Sequence, residues 1–157
     1  MSSPACGIST LFQSHRRTAE LQDLVADLLK AMGYHIAWKS PQGKDGGLDI
    51  VAYTDPLGTR LPRIKVQVIR HNVKKLDVDG LGSFMAVLGE NDAGLFVSTS
   101  RFTRDGEDES RKQEGRKITL IGLDKFFDLW VEHSGKLDDA ARRRFPLQPI
   151  YFLAPSS

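Results

Sequence analysis

Two runs of sequence, Gly46-Gly47-Leu48-Asp49-Ile50-Val51-Ala52 and Ile64-Lys65-Val66-Gln67-Val68-Ile69-Arg70, decide the fold of this chain. Both are rich in the apolar residues that form buried strands. The turn-forming residues Asp55-Pro56-Leu57-Gly58 lie between them. The sequence therefore predicts strands over Leu48 to Tyr53 and Arg63 to Arg70, joined as an antiparallel hairpin.

Each predicted strand carries a polar side chain that could serve a site. Residues two apart on a strand share a face, so the hairpin could place the Asp49 carboxylate beside the Gln67 amide oxygen. These are hard oxygen ligands suited to Mg²⁺. The glycines before Asp49 permit a sharp turn and leave room for a bulky partner such as a phosphate. The alternative is that Asp49 only accepts hydrogen bonds from the backbone of the preceding loop.

The rest of the chain alternates between helical and strand patterns. Apolar residues from Thr18 to Met32 recur at helical spacing, and Gly33 is placed to end that helix. Further elements are predicted as strands at Tyr34 to Trp38, Gly94 to Ser98 and Lys117 to Ile121, and as helices from Val78, from Arg104 and after a capping Asp124. Trp38 and Trp130 fall in apolar patterns and are predicted to be core. This order predicts an α/β sandwich whose mixed sheet is covered on both sides.

Length and composition limit the class of protein. With 157 residues, of which 40% are hydrophobic, the chain is expected to form one domain over 18–146, after a disordered segment 1–17 and before a tail 147–157. The single cysteine, Cys6, argues against a disulfide framework and favours a reducing compartment. No apolar run reaches the roughly 18 residues of a membrane span, so we expect a cytoplasmic protein. The net charge of +2 does not by itself indicate a nucleic-acid partner, and the local basic clusters could be solvated surface.

Four landmarks appear in a characteristic order. The opening helix ends in Met32-Gly33-Tyr34; Gly43-x-Asp45-Gly46-Gly47-x-Asp49 and Val66-Gln67-x-x-Arg70 follow, and then Phe96-Val97-Ser98-Thr99-Ser100-x-Phe102-Thr103. With these landmarks the chain resembles, from Thr18 to His133, the catalytic domain of Mrr-type restriction endonucleases in the PD-(D/E)xK nuclease superfamily. The resemblance implies a restriction-endonuclease-like three-layer α/β/α sandwich. It also implies a Mg²⁺-dependent DNA endonuclease of a defence system, with Mn²⁺ as a substitute.

The resemblance also assigns roles to residues. Asp49 would bind the metal ion, Gln67 would stand where many relatives have glutamate, and the Val68 carbonyl would complete the metal shell. Glu20 would be a supporting acidic group, although it could equally be a solvated residue stabilised by the helix dipole. The bound ion would lower the pKa of an attacking water and neutralise charge on the phosphate.

The implied partner is DNA, and the sequence leaves a homo-oligomer open. Phosphate contacts would come from basic residues around the site and would give salt-sensitive, sequence-tolerant binding. The residues expected to make these contacts are Lys44, Arg70, Lys74 and Arg101.

One position departs from the family pattern. Mrr-type enzymes have Gln-x-Lys on the second strand, whereas this chain has Gln67-Val68-Ile69. Loss of one donor to the developing charge typically costs about 3 to 4 kcal/mol, or roughly 10²- to 10³-fold in rate. Lys65 or His71, on the same face as Ile69, or Lys44 in the loop near Asp49 could replace the lysine; Lys65 could instead be an ordinary strand-edge residue.

Three hypotheses remain open from the sequence. The first is a slow Mg²⁺-dependent endonuclease, and the second is a catalytically inactive nuclease fold that binds DNA or a partner protein. The third treats the loop from Gly43 to Gly47 as a nucleotide-phosphate cradle. That loop lacks the Gly-Lys-Ser/Thr ending of a P-loop and precedes a strand instead of a helix.

Overall fold

A computed structural model describes residues 18–41, 47–69, 78–99, 101–112, 117–148, 150 and 153 of the chain. The helices are α1 (Thr18–Ala31), α2 (Val78–Met85), α3 (Arg104–Lys112), α4 (Leu123–Glu132) and α5 (Asp139–Arg144), with a 3-10 turn at Ser134–Lys136. The strands are β1 (His35–Lys39), β2 (Ile50–Tyr53), β3 (Arg63–Ile69), β4 (Asp92–Ser98) and β5 (Lys117–Ile121). No helix in these described ranges is long and apolar enough to cross a membrane.

The five strands form one mixed sheet in the order β1-β2-β3-β4-β5. The pairs β1–β2 and β2–β3 are antiparallel, whereas β3–β4 and β4–β5 are parallel. Parallel neighbours need a crossover connection, and α2 and α3 supply the two that this sheet requires. The predicted hairpin and the predicted mixed sheet are therefore confirmed.

The larger core lies between the sheet and helices α1 and α4. Its buried residues include Leu24 and Leu28 of α1, Val66 of β3, and Phe126 and Trp130 of α4. The prediction that Trp130 is a core residue is confirmed. The carbonyl oxygen of Leu29 near the end of α1 accepts a hydrogen bond from Tyr34, and Gly33 adopts a φ of +96°, as predicted for a helix-ending glycine.

A second, smaller apolar cluster covers the opposite face of the sheet. Phe84 of α2 and Phe96 of β4 form its buried centre together with Leu88. Their rings meet edge to face, with centroids 5.5 Å apart. The partly buried side chains around this centre are Ile69, Phe102, Ile118 and Leu120. Helices therefore pack on both faces, which gives the three-layer α/β/α sandwich.

A β-bulge in β1 reverses the expected orientation of Trp38. Ile36 pairs with Ala52, but Trp38 pairs with Val51, so one residue of β1 has no counterpart in β2. Ile36 consequently faces α1, whereas Trp38 lies on the opposite face and remains 45% exposed. The prediction that Trp38 is a core residue was wrong, because the strand alternation on which it depended is broken at Ala37.

The C-terminal part differs from the expectation in two further ways. Helix α4 begins after Gly122, whose lack of a side chain rules out a side-chain cap, and Asp124 lies inside the first turn. Helix α5 was not predicted; Asp138 caps it by accepting a 2.7 Å hydrogen bond from the backbone N–H of Ala141. Arg144 of α5 forms an ion pair with the buried Asp27 of α1.

Candidate functional site

Asp49 lies just before β2, where the backbones of three strands converge. Its N–H donates to the Val66 carbonyl at 2.8 Å, and its own carbonyl accepts from the Ser40 N–H at 2.7 Å. The residue is only 8% exposed. A carboxylate at this depth needs partners, since burial of an unpaired charge is very unfavourable.

Both oxygens of the Asp49 carboxylate have such partners. Oδ1 accepts a hydrogen bond from Gln22 Nε2 at 2.6 Å, and Oδ2 accepts one from the backbone N–H of Val68, also at 2.6 Å. Hydrogen bonds to a charged acceptor are short and strong, so these two fix the direction of the carboxylate. The donors belong to α1 and β3. The alternative prediction was that Asp49 only accepts hydrogen bonds from the backbone of the preceding loop, and it does not account for these two bonds.

Gln67 lies on β3 between the two residues whose backbones bond Asp49. The Asp49 N–H donates to the Val66 carbonyl, and the Val68 N–H donates to the Asp49 carboxylate. Within the described part of the chain, Gln67 Oε1 is buried without a hydrogen-bond partner. Leaving such an acceptor unsatisfied costs about 1 to 3 kcal/mol. The amide oxygen is therefore available to a cation.

The Val68 carbonyl belongs to the same region of the strand. The N–H and C=O of one strand residue point to the same side, and the Val68 N–H points at Asp49. The site thus offers a carboxylate, an amide oxygen and a backbone oxygen, all of the hard type that Mg²⁺ and Mn²⁺ accept. The residues present fit a divalent cation. No group of three or more His, Cys, Asp or Glu side chains that could hold a metal is found in the described ranges.

Gly47 leaves space beside this oxygen set. Its φ of +73° is readily adopted only by glycine, and a Cβ built there would lie 4.0 Å from Gln67 Nε2. The backbone of residue 47 therefore passes close to the Gln67 amide with no side chain between them.

Ile69, at the position where the resemblance implies a lysine, faces an apolar environment. It shares the face of Gln67 and packs against the second apolar cluster. Its partner across the parallel ladder is Ser98, which is buried. Ile69 offers neither a charge nor a donor to the site. Instead it contributes to the packing beneath α2.

Lys65, which was predicted as a replacement for that lysine, forms an ion pair in the structure. Its ammonium lies 2.8 Å from Asp92 Oδ2 and donates to the Val87 carbonyl at 2.7 Å. Burial acts to raise the pKa of Asp92, but the hydrogen bonds from Lys65 and Gly89 and the charges of Lys65 and Arg63 outweigh it and lower the pKa. The ammonium of Lys65 is thus directed at Asp92 and the Val87 carbonyl, and its catalytic role stays a prediction.

Glu20 was expected to support the site, and this stays a prediction; the side chain of α1 that bonds Asp49 in the structure is Gln22. Residues two apart on a helix point in nearly opposite directions, so Glu20 is exposed while Gln22 is buried against Asp49. The sequence carried a signal for this. Gln22 lies in line with Val25, Ala26 and Leu29 at apolar helical spacing, and a polar residue inside such a stripe needs a buried partner.

The predicted DNA contacts are only partly placed. Arg101 is exposed to solvent between β4 and α3. Lys44, Arg70 and Lys74 lie outside the described residues, as does His71. Of the predicted metal ligands, Asp49 is bonded to the Val68 N–H, and Gln67 precedes Val68 on β3.

This combination of a mixed sheet between helices and a buried aspartate at the start of a strand defines a restriction-endonuclease fold. Residues 16–130 match the family model of the Mrr catalytic domain, described as a restriction endonuclease, and the chain belongs to this family.

Two solved structures resemble the chain. The MspJI restriction endonuclease in complex with a 27-mer oligonucleotide is 18% identical, with a TM-score of 0.63 over 90% of this chain and 34% of that chain. This chain therefore spans about a third of that enzyme. A repair endonuclease from Pyrococcus abyssi is 18% identical, with a TM-score of 0.45 over 70% of this chain and 49% of that one. No curated protein matches the sequence.

Proposed function

We propose that this chain is a slow, divalent-cation-dependent DNA endonuclease domain. The observations that carry the proposal are the bond from the Val68 N–H to the Asp49 carboxylate and the buried, unsatisfied Oε1 of the adjacent residue Gln67. An unpaired buried acceptor is costly, and a bound cation would satisfy it. Membership of a restriction endonuclease family supports DNA as the substrate.

Three ligands would hold the ion: the Asp49 carboxylate, Gln67 Oε1 and the Val68 carbonyl. Mg²⁺, or Mn²⁺ in its place, supplies a Lewis acid that activates water and neutralises charge on the phosphodiester. Gln22 and the Val68 N–H keep the carboxylate in place before the substrate arrives, which is a form of preorganisation. Gly47 leaves the phosphate room beside the Gln67 amide.

The chemistry lacks a positively charged donor from β3. Ile69 cannot stabilise the developing charge, and the described lysine on the same face, Lys65, is held by Asp92. One missing donor of this kind typically lowers the rate by roughly 10²- to 10³-fold. We therefore expect hydrolysis that depends on the cation and on positioning, well below the rate of an enzyme with the full motif. A restriction role in cytoplasmic defence is consistent with such an activity.

A second function is favoured by the packing of Ile69. A side chain built into the apolar cluster, together with the Lys65–Asp92 ion pair, suits a domain that binds DNA or a partner protein without cutting. In that case the oxygen ligands would retain the cation and the phosphate but not the hydrolytic step.

Nicking of supercoiled plasmid separates the two functions. We expect the natural protein to nick in Mg²⁺ or Mn²⁺ and not in EDTA, and expect Asp49→Asn, which keeps the side-chain shape, to abolish nicking. Activity no higher than that of Asp49→Asn, with DNA still bound, would establish the binding function. Absence of both nicking and DNA binding would contradict the endonuclease and the DNA-binding function, and would leave only the binding of a partner protein.

A further inference from the structure

A cleft opens between the C-terminal end of α4 and helix α5. Its volume is about 710 Å³. Small-molecule sites in proteins occupy roughly 300 to 1,000 Å³, so the cleft has the size of such a site. Part of its lining is apolar and comes from Trp130, Leu137, Phe145 and Leu147. None of its lining residues belongs to the ligand set proposed around Asp49.

Two arginines bring positive charge into this cleft. Of the three consecutive arginines of α5, Arg144 forms its ion pair with Asp27, whereas Arg142 and Arg143 line the cleft. Within the described ranges, neither of these two forms an ion pair. The carboxylate of Asp139 also lines the cleft. Two positive side chains and one negative side chain leave the lining with a net charge of +1.

Backbone carbonyl groups hold both of these guanidinium groups. Arg142 Nη2 donates to the carbonyl oxygens of Ser134 and Gly135 at 3.3 and 3.5 Å. Arg143 Nε donates to the Asp139 carbonyl at 3.2 Å. A carbonyl is neutral, so it fixes the direction of a guanidinium group without cancelling its charge. Each guanidinium group has five N–H donors, and most of them stay available to a ligand such as a phosphate.

Helix stabilisation alone does not explain the direction of Arg142. Basic side chains in the last turn of a helix interact favourably with the helix dipole. That effect needs a position beside the last carbonyls of α5, whereas Arg142 is bonded to the 3-10 turn that precedes α5. These bonds place its guanidinium group at the wall of the cleft, within reach of a ligand.

We propose that this cleft binds a nucleoside monophosphate, either free or as the 5′-phosphate end of a DNA strand. The phosphate would lie between Arg142 and Arg143, with the base against the apolar part of the lining. Ser134 and Gln148 also line the cleft and offer neutral hydrogen-bonding groups to the sugar or base. The proposal goes beyond the nuclease function and does not depend on it, because it uses no residue of the proposed metal site.

Calorimetric titration with dTMP in EDTA tests the proposal. We expect dTMP to bind, and expect thymidine and inorganic phosphate each to bind at least 10-fold more weakly, because each lacks one half of the ligand. Arg142→Gln and Arg143→Gln should each weaken dTMP binding by roughly 10- to 150-fold. Lys125→Gln removes the same charge from an exposed position in the first turn of α4, outside the cleft, and should bind dTMP normally.

Competition identifies the source of the nucleotide. Displacement of dTMP by 5′-phosphorylated oligo-dT, and not by 5′-hydroxyl oligo-dT, would indicate a DNA end, whereas displacement by neither would indicate a free nucleotide. Absence of dTMP binding, or equal affinity in folded Arg142→Gln, Arg143→Gln and Lys125→Gln proteins, would overturn the proposal and leave the nuclease function untouched. Thermal unfolding checks the fold of each variant, and Arg143→Gln covers the case in which Arg142→Gln loosens the 3-10 turn.

Discussion

Gln22 on α1 donates a 2.6 Å hydrogen bond to the carboxylate of Asp49, and both residues are buried. The bond ties the first helix of the domain to the start of β2. Because the amide is neutral, it fixes the carboxylate without adding a charge of its own. Orientation of the proposed metal ligand thus depends on a helix that is remote from the predicted hairpin in sequence.

Replacement of Gln22 tests this dependence. Gln22→Leu removes the donor and leaves Oδ1 of a buried carboxylate short of a partner, so the free energy of unfolding should fall by about 2 kcal/mol. Urea denaturation measures the change, and calorimetric titration with Mn²⁺ should show weaker binding. Glu20→Ala, on the exposed side of the same helix, should alter stability by no more than about 0.5 kcal/mol. Equal effects of the two substitutions would contradict the assignment.

Ile69→Lys tests the position where the motif lysine is missing. The lysine should raise plasmid nicking by roughly 10²- to 10³-fold if the oxygen ligands are intact. It should also lower stability by about 1 to 3 kcal/mol, because a charged side chain replaces one packed against Phe84 and Phe96. Ile69→Met keeps an apolar side chain of similar volume. It should not raise the nicking rate, and it should lower stability by less than Ile69→Lys does. A stable Ile69→Lys protein without increased nicking would indicate that the site is not assembled for hydrolysis.

The Lys65–Asp92 ion pair predicts a pH dependence of stability. The pKa of Asp92 is lowered in the folded state from its ordinary value of 3.8, so its contribution is complete above that value and is lost as pH falls through the lower folded pKa. Lys65→Met should therefore cost about 1 kcal/mol near neutral pH and progressively less below pH 3.8.

The nicking activity of Lys65→Met tests whether Lys65 takes part in hydrolysis. We expect Lys65→Met to nick plasmid at the rate of the natural protein, since the ammonium of Lys65 is directed at Asp92 and the Val87 carbonyl. Loss of nicking in a fully folded Lys65→Met protein would instead show that Lys65 is the catalytic lysine.

Two glycines should respond to alanine in opposite directions. Gly58 has a φ of +67°, and an added Cβ would lie 2.5 Å from the ring of Tyr53, so Gly58→Ala should lower the melting temperature by several degrees. Gly82 lies inside α2 with nothing within 4 Å of the added Cβ, and Gly82→Ala should stabilise the protein by about 0.5 to 1 kcal/mol. A stabilising Gly58→Ala would show that the β2–β3 turn does not need its left-handed conformation.

The sequence predicted those features that depend on local pattern. The apolar spacing of α1, the turn chemistry between β2 and β3, and the order of the later elements were enough for the fold class. The antiparallel pairing of β2 with β3 could be predicted because a hairpin is local in sequence. In each case the deciding residues lie within one element or one turn of each other.

The features that were missed depend on contacts between distant elements. Which side chain of α1 reaches Asp49 depends on how α1 docks against the sheet. The ion pair of Lys65 depends on Asp92, which is separated from it in sequence by the whole of α2. The orientation of Trp38 depends on one extra residue in an edge strand, which no period-2 pattern reveals. These contacts form only when the sheet is assembled.

The Arg144–Asp27 ion pair has a consequence for the chemistry at the other end of α1. Asp27 lies five residues from Gln22, about 7.5 Å along the helix axis, and its charge raises the pKa of Arg144 through a direct hydrogen bond. Through Asp27 and Gln22, α1 therefore joins the C-terminal segment to the carboxylate that we propose as a metal ligand. Proteolysis that removed α5 would leave the buried Asp27 carboxylate without this partner, and we expect it to loosen α1 and the orientation of Asp49.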